Sequence, residues 1–282
     1  GYTVVLSPDE ESASHVLASI VTAGSLPMLR QRTQHLALDL TPPTDDRPFF
    51  FNVLPFTRPW AAVREFGGFA GVLRGNILAT LTLLVILTVS VLLVTMTIVV
   101  PLRPAIRQVG RPLAVGGTAY FALLGLGFMF VEMGLLQRCS LFLGHPVYSL
   151  SIVLFSLILT TGIGSWLSEA WPVNARGRFN TWAILLAAYV GSLPLWLPSV
   201  FETFEASGTL VRGALAAGVI SPAGVLMGFG FPTGMRLVVS HDERPTAWFW
   251  GINGAAGVLA SVLAVVLSIG VGIGFTLLVG AL

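Results

Sequence analysis

Five stretches of the chain pass without a charged side chain: Arg74 to Arg103, Arg138 to Glu169, Arg178 to Glu202, Arg212 to Arg236, and Arg244 to the C-terminal Leu282. Each is apolar around its whole circumference, where a soluble core helix would keep a polar outer stripe. Each is also long enough to cross a bilayer, for which about 20 apolar residues suffice. The pattern predicts membrane helices at 76–100, 114–137, 147–167, 180–198, 212–235 and 247–268, with the start of a seventh near Gly272, cut off at Leu282. Pro101 and Pro104, Gly144 and Pro146, Pro172 and Gly177, Pro198, and Pro245 are expected in the loops, because irregular backbone cannot face lipid. The expected fold is an all-α polytopic transmembrane helix bundle, multi-pass in a cell (inner) membrane, with the lipid bilayer as its first partner.

Residues 1–60 follow a different pattern. The alternation Tyr2-Thr3-Val4-Val5-Leu6 suits a strand. Ser7-Pro8-Asp9-Glu10 then places a cap residue, a first-turn proline and a Glu three residues on, predicting a helix from Pro8 to about Ala23. This short α/β-like remnant is too small to bury a core alone. Between it and the first membrane helix, Thr41-Pro42-Pro43-Thr44-Asp45-Asp46-Arg47-Pro48-Phe49-Phe50-Phe51 joins a charged cluster to aromatics, continued by Phe56 and Trp60. Such a mixture suits the headgroup layer or a linker packed on a neighbouring domain, so Asp45, Asp46 and Arg47 are candidate connector residues. The division is therefore 1–60 for the soluble remnant and connector, and 61–282 for the membrane domain.

Composition narrows the chemistry. With 55% hydrophobic and 10% charged residues and a mean hydropathy of +0.85, the chain cannot coat itself for water. All 15 basic residues are Arg, which removes lysine Schiff bases and the phosphate-loop lysine. Cys139 is the single cysteine, so neither an intrachain disulfide nor a cysteine-rich zinc site can form. His15, His35, His145 and His241 lack metal-ligand spacing, and no metal site is expected. The net charge of +2 does not point to nucleic acid, because the arginines flank apolar runs. By alternation Arg103, Arg107, Arg111, Arg176, Arg178, Arg236 and Arg244 share one face, which the positive-inside tendency makes cytoplasmic. Arg58, Arg64 and Arg74, Arg138 in the second loop, and Arg212 beside Glu202 and Glu205 fall on the other face, with the N-terminal segment.

A few polar residues interrupt the apolar runs. Glu132 is the sharpest, since a carboxyl at membrane depth costs a few kcal/mol unless protonated, paired or facing a cavity. Gln137, Arg138 and Arg236 are its candidate partners; it reads either as a proton or cation site or as an interhelical hydrogen bond near the headgroups. Asn253 can bond across helices, His145 sits in a loop that could open on an aqueous vestibule, and Arg236 can anchor its helix at the headgroups. Glu132, Arg138, His145, Arg236 and Asn253 form the candidate intramembrane polar set. Gly224xxxGly228, Gly230xxxGly234 and Gly251xxxAla255 set small residues on one helix face, for close packing or for a hinge, and Pro222 and Pro232 add possible kinks.

Four segments together resemble a known family. They are DLTPPTDDRPFFFN (Asp39–Asn52), YFALLGLGFMFVEMGLLQRCSLFLGHPVYSLSIVLFS (Tyr120–Ser156), MGFGFPTGMRL (Met227–Leu237) and WGINGAAGVLASVLAVVLS (Trp250–Ser268). In order and spacing the chain is similar to bacterial fused proteins that join a spermidine-synthase-like domain to membrane helices. The resemblance implies that residues 1 to about 40 are the tail of a Rossmann-type, methyltransferase-like domain and the rest is the C-terminal membrane half. The glycine-rich turn that would hold S-adenosylmethionine or its decarboxylated form is absent, as are the acidic residues that would bind a polyamine. No catalytic site or cofactor is therefore expected in this chain, and an aminopropyltransferase or methyltransferase activity would belong to an upstream soluble domain, its natural partner. The resemblance also places that domain in the cytoplasm, against the arginine distribution. Two functional readings stand: a bundle that binds or transports a small cationic substrate, and a structural or accessory anchor without transport activity.

Overall fold

The computed structural model describes residues 22–33, 42–49, 52, 72–107 and 109–282. The expected strand at Tyr2–Leu6, all but the last two residues of the expected helix from Pro8, and Phe50, Phe51, Phe56 and Trp60 lie outside them. Among the described residues the regular structure is helical: α1 (Leu26–Thr33), α2 (Val72–Val94), a π-helical turn (Thr95–Val99), α3 (Val100–Arg107), α4 (Arg111–Leu143), α5 (Pro146–Ala170), α6 (Arg176–Thr203), α7 (Thr209–Gly228), α8 (Gly230–Val239), α9 (Thr246–Gly270) and α10 (Ile273–Ala281). Six of the described segments are long and apolar enough to cross a membrane: Leu78–Pro104, Arg111–Leu143, Pro146–Ala170, Arg176–Thr203, Thr209–Val239 and Thr246–Gly270. The protein is an all-α, multi-pass membrane bundle.

The chain divides into two compact units, residues 1–44 with 48–82 and residues 45–47 with 83–282. In the first, Ser25 opens α1 by accepting from the Met28 amide at 3.4 Å, and the Thr80 hydroxyl donates to Asn52 Oδ1 at 3.2 Å.

In the second unit the main core joins four long helices. Val131, Leu135 and Phe142 of α4 meet Val153 and Leu157 of α5, Val190, Leu193 and Leu197 of α6, and Ala216, Ile220 and Ala223 of α7, with Leu277 of α10. A second cluster sets Phe121 of α4 and Val238 of α8 against Trp248, Phe249 and Ile252 of α9. Contacts are densest between α4 and α9 and between α5 and α7. Both interfaces depend on small residues, as lipid-embedded helices require. A Cβ on Gly228 would stand 2.9 Å from the Ser165 amide nitrogen and 3.0 Å from Gly164 Cα, and one on Gly125 would stand 3.1 Å from the Asn253 carbonyl carbon. On the Gly224/Gly228 face Gly228 is thus packed against the α5 backbone and Gly224 against the Thr160 side chain.

The structure corrects several loop assignments; Pro146 and Gly177 fall in the first turns of α5 and α6. Pro101 and Pro104 lie in α3 and Pro198 in α6, so these helices run on to Arg107 and Thr203. A proline forfeits one backbone bond, whereas a loop at that depth would expose several unpaired groups to lipid. Arg138, expected in the second loop, lies inside α4, which continues to Leu143. Gly144, at φ 72°, then closes α4 in the left-handed conformation glycine favours.

Candidate functional site

Arg138 is only 6% exposed, six residues past Glu132 on α4. A guanidinium so placed needs a counter-charge, and the connector supplies it. Arg138 Nη2 donates to Asp46 Oδ1 at 2.7 Å and Nη1 to the Asp45 carbonyl at 2.8 Å. The pairing of charges shortens and strengthens these bonds relative to neutral ones.

Asp46 also caps a helix to which it does not belong. α9 stops at Gly270, the backbone reverses through Gly272 at φ 137°, and α10 turns back to pack on α4 and α6. The first turn of α10 presents unpaired N–H groups and the positive end of its dipole. The Ile273 amide donates to the Asp46 carbonyl at 2.9 Å and the Gly274 amide to Asp46 Oδ1 at 2.7 Å. Arg47 Nε donates to the Ile269 carbonyl at 3.3 Å, adding a bond to the last turn of α9. Nearby, the fully buried Ser268 and Thr276 share a hydroxyl bond of 2.9 Å, and Thr276 donates to the Gly272 carbonyl. One aspartate thus joins the connector, α4 and α10. A side chain at Gly272 would both enter the Asp46 carboxylate and strain a backbone open to glycine alone.

Asp45, Asp46 and Arg47 lie far from Arg138 along the chain; the fold brings all four together. The other candidates lie apart from them. Glu132 is half-buried, one turn from Phe128 and from Leu136, which pack on the main core, and it has no hydrogen bond or ion pair among the described residues. Arg138, a candidate partner for it, is committed to Asp46. Gln137 Oε1 is buried without a partner among the described residues. Asn253 Nδ2 donates to the Phe121 carbonyl at 3.1 Å, joining α9 to α4. His145 is exposed and caps α5, its Nδ1 accepting from the Val147 amide at 3.3 Å.

Sequence reasoning missed the groups that heal the break between α7 and α8. The Tyr120 hydroxyl donates to the Gly230 carbonyl at 2.7 Å and Trp182 Nε1 to the Leu226 carbonyl at 2.8 Å. Rings crowd round it, with Phe121 and Phe231 edge to face at 5.4 Å and Phe179 and Trp182 at 5.3 Å. The signal was Pro232, whose missing N–H interrupts the helix ladder just after the pair Gly228 and Gly230.

On the opposite flank, Tyr189, Trp196, Phe204, Val211, Leu215 and Val219 line an open groove of about 540 Å³ between α6 and α7. Its polar groups are already spent, since Tyr189 donates to the Val219 carbonyl and Trp196 to the Ser192 hydroxyl. In the loop before α9, hydrogen bonds from Arg244 hold the Asp242 carboxyl below the usual aspartate range. Among the described residues no three His, Cys, Asp or Glu side chains gather as a metal site. No protein-family model, no curated protein and no solved structure matches this chain.

Proposed function

We propose that this chain is the membrane half of a spermidine-synthase-like fusion protein of the inner membrane, and that its bundle serves as an anchor. In this reading the bundle ties the connector residues 45–47 to the membrane domain. The observation that carries it is the Asp46 clasp: a connector that only linked two parts would not supply both the counter-ion of a buried arginine and the cap of a helix. The apolar main core agrees with a bundle that serves as a support. Any aminopropyl- or methyl-transfer chemistry then belongs to a soluble domain with an S-adenosylmethionine-type cofactor, encoded upstream of Gly1. The identity is tested by the reading frame that precedes Gly1: a spermidine-synthase-like coding region supports it, and its absence removes the enzymatic side.

Glu132, which has no partner among the described residues, favours a second reading, transport of a small cation such as a polyamine. One experiment separates the two. Proteoliposomes carrying the wild type or Glu132→Gln are assayed for uptake of putrescine and spermidine under a proton gradient. The anchor reading expects both to match protein-free liposomes. Uptake by the wild type that Glu132→Gln abolishes would overturn it and establish transport.

A further inference from the structure

Arg212 and Arg236 sit near the two ends of the broken α7–α8 segment and share an arrangement that helix packing alone does not explain. Arg212 Nη1 donates to the Phe142 carbonyl at 2.9 Å, in the last turn of α4. Arg236 Nη2 donates to the Ser168 carbonyl at 3.0 Å, in the last turn of α5, and bonds the Ser168 and Thr233 hydroxyls at 3.2 and 3.5 Å. Each guanidinium is therefore held against the carbonyl end of a neighbouring helix, where a cation is favoured.

Neither is neutralised by a described residue. Both arginines are half-buried, neither has a carboxylate partner among the described residues, and the Nε of each is buried without an acceptor. In each, one terminal nitrogen is also uncommitted and is not among the buried, unpartnered atoms: Nη2 of Arg212 and Nη1 of Arg236. Arg138, by contrast, is satisfied by Asp46. In Arg212 and Arg236 the N–H groups of that one accessible terminal nitrogen match the oxygens of a phosphate monoanion.

Spacing identifies the source of that phosphate. The two positions are 24 residues apart on one transmembrane segment, which at about 1.5 Å per residue is about 36 Å along the axis. A bilayer has about 30 Å of hydrocarbon within about 40–45 Å including headgroups, so side chains at this separation reach both phosphate layers. We propose that Arg212 and Arg236 are phosphate seats, one at each membrane face, each holding the headgroup of one phospholipid and together setting the depth of the bundle. The same ruler puts Glu132, ten residues before Phe142 on α4, about 15 Å inside one layer and close to the mid-plane.

The test is native mass spectrometry of the whole chain released from phosphatidylglycerol nanodiscs, with thermal unfolding of the same samples. The wild type is expected to retain two phospholipids, Arg212→Gln and Arg236→Gln one each, and the double variant none. Arg→Lys at either position keeps the charge and the fold but loses the planar fork, and is expected to bind lipid several-fold more weakly. Added phosphatidylglycerol is expected to raise the melting temperature of delipidated wild type, whereas diacylglycerol, which lacks the phosphate, is not. Unchanged retention in the double variant would overturn the proposal and leave the arginines as helix staples only. Equal stabilisation by inorganic phosphate in the absence of phospholipid would overturn it in favour of a soluble-anion site.

Discussion

Replacing Asp46 by Asn tests the clasp with the least change in shape. The amide can still accept from the Gly274 N–H, but it no longer neutralises Arg138. Stranding one partner of a fully buried pair costs about 3–5 kcal/mol. Here Arg138 is buried while the Asp46 side chain is 45% exposed, so screening reduces the expected loss to about 1–2 kcal/mol. Asp46→Ala removes the cap as well, adding about 1 kcal/mol. Arg138→Met keeps length and fills the space with apolar atoms, while the half-exposed carboxylate keeps its bond from Gly274; its cost is about 1 kcal/mol or less. In a cycle of Asp46→Asn, Arg138→Met and the double variant, the pair is expected to couple by about 1–2 kcal/mol. Unfolding in mixed micelles by SDS titration gives the free energies. Melting temperatures follow at about 2–4 °C per kcal/mol for a chain of this size. Hydrogen exchange adds a local readout, because Gly274, whose amide bonds the Asp46 side chain, should lose protection in Asp46→Ala while α5 and α7 do not. Additivity within about 0.5 kcal/mol would refute the reasoning, since independent sites add to that accuracy.

Two further predictions concern the helix packing. Gly228→Ala places a methyl against the backbone of Thr161, Gly164 and Ser165. It is expected to cost about 3 kcal/mol or more and to lower the yield of folded protein in detergent. Gly254→Ala meets no atom within 4 Å and is expected to be neutral or to stabilise by up to about 1 kcal/mol in the same assay. At the α7–α8 break, Tyr120→Phe removes the side-chain donor to the Gly230 carbonyl, and Trp182→Phe removes that to the Leu226 carbonyl, which keeps the Phe229 amide at 3.3 Å. Each is expected to cost about 1 kcal/mol, with faster hydrogen exchange confined to the break; no loss in either would show that these side-chain bonds do not hold it.

The sequence by itself determined where the long helices run. Partition into lipid is decided residue by residue over about 20 positions, and the backbone bonds of a helix close within four residues, so both signals are local. The six apolar segments, the packed Gly224/Gly228 face and the turn at Gly144 and Pro146 were all legible for that reason. The helix ends were less so. Pro101, Pro104 and Pro198 read as stops, yet the helices pass through them, because continuing leaves fewer unpaired groups than stopping.

Arg138 shows what only the tertiary structure decided. On sequence grounds an arginine six residues after Glu132 marks the end of a span. In the fold it is buried, because an aspartate 92 positions earlier neutralises it. Both residues had been singled out, but nothing in their local pattern joins them; the pairing exists because Gly272 reverses the chain and leaves the start of α10 in need of an acceptor. Glu132 is the converse case. Its oddity was visible from composition, and the fold added that Arg138, one of its candidate partners, is committed to Asp46.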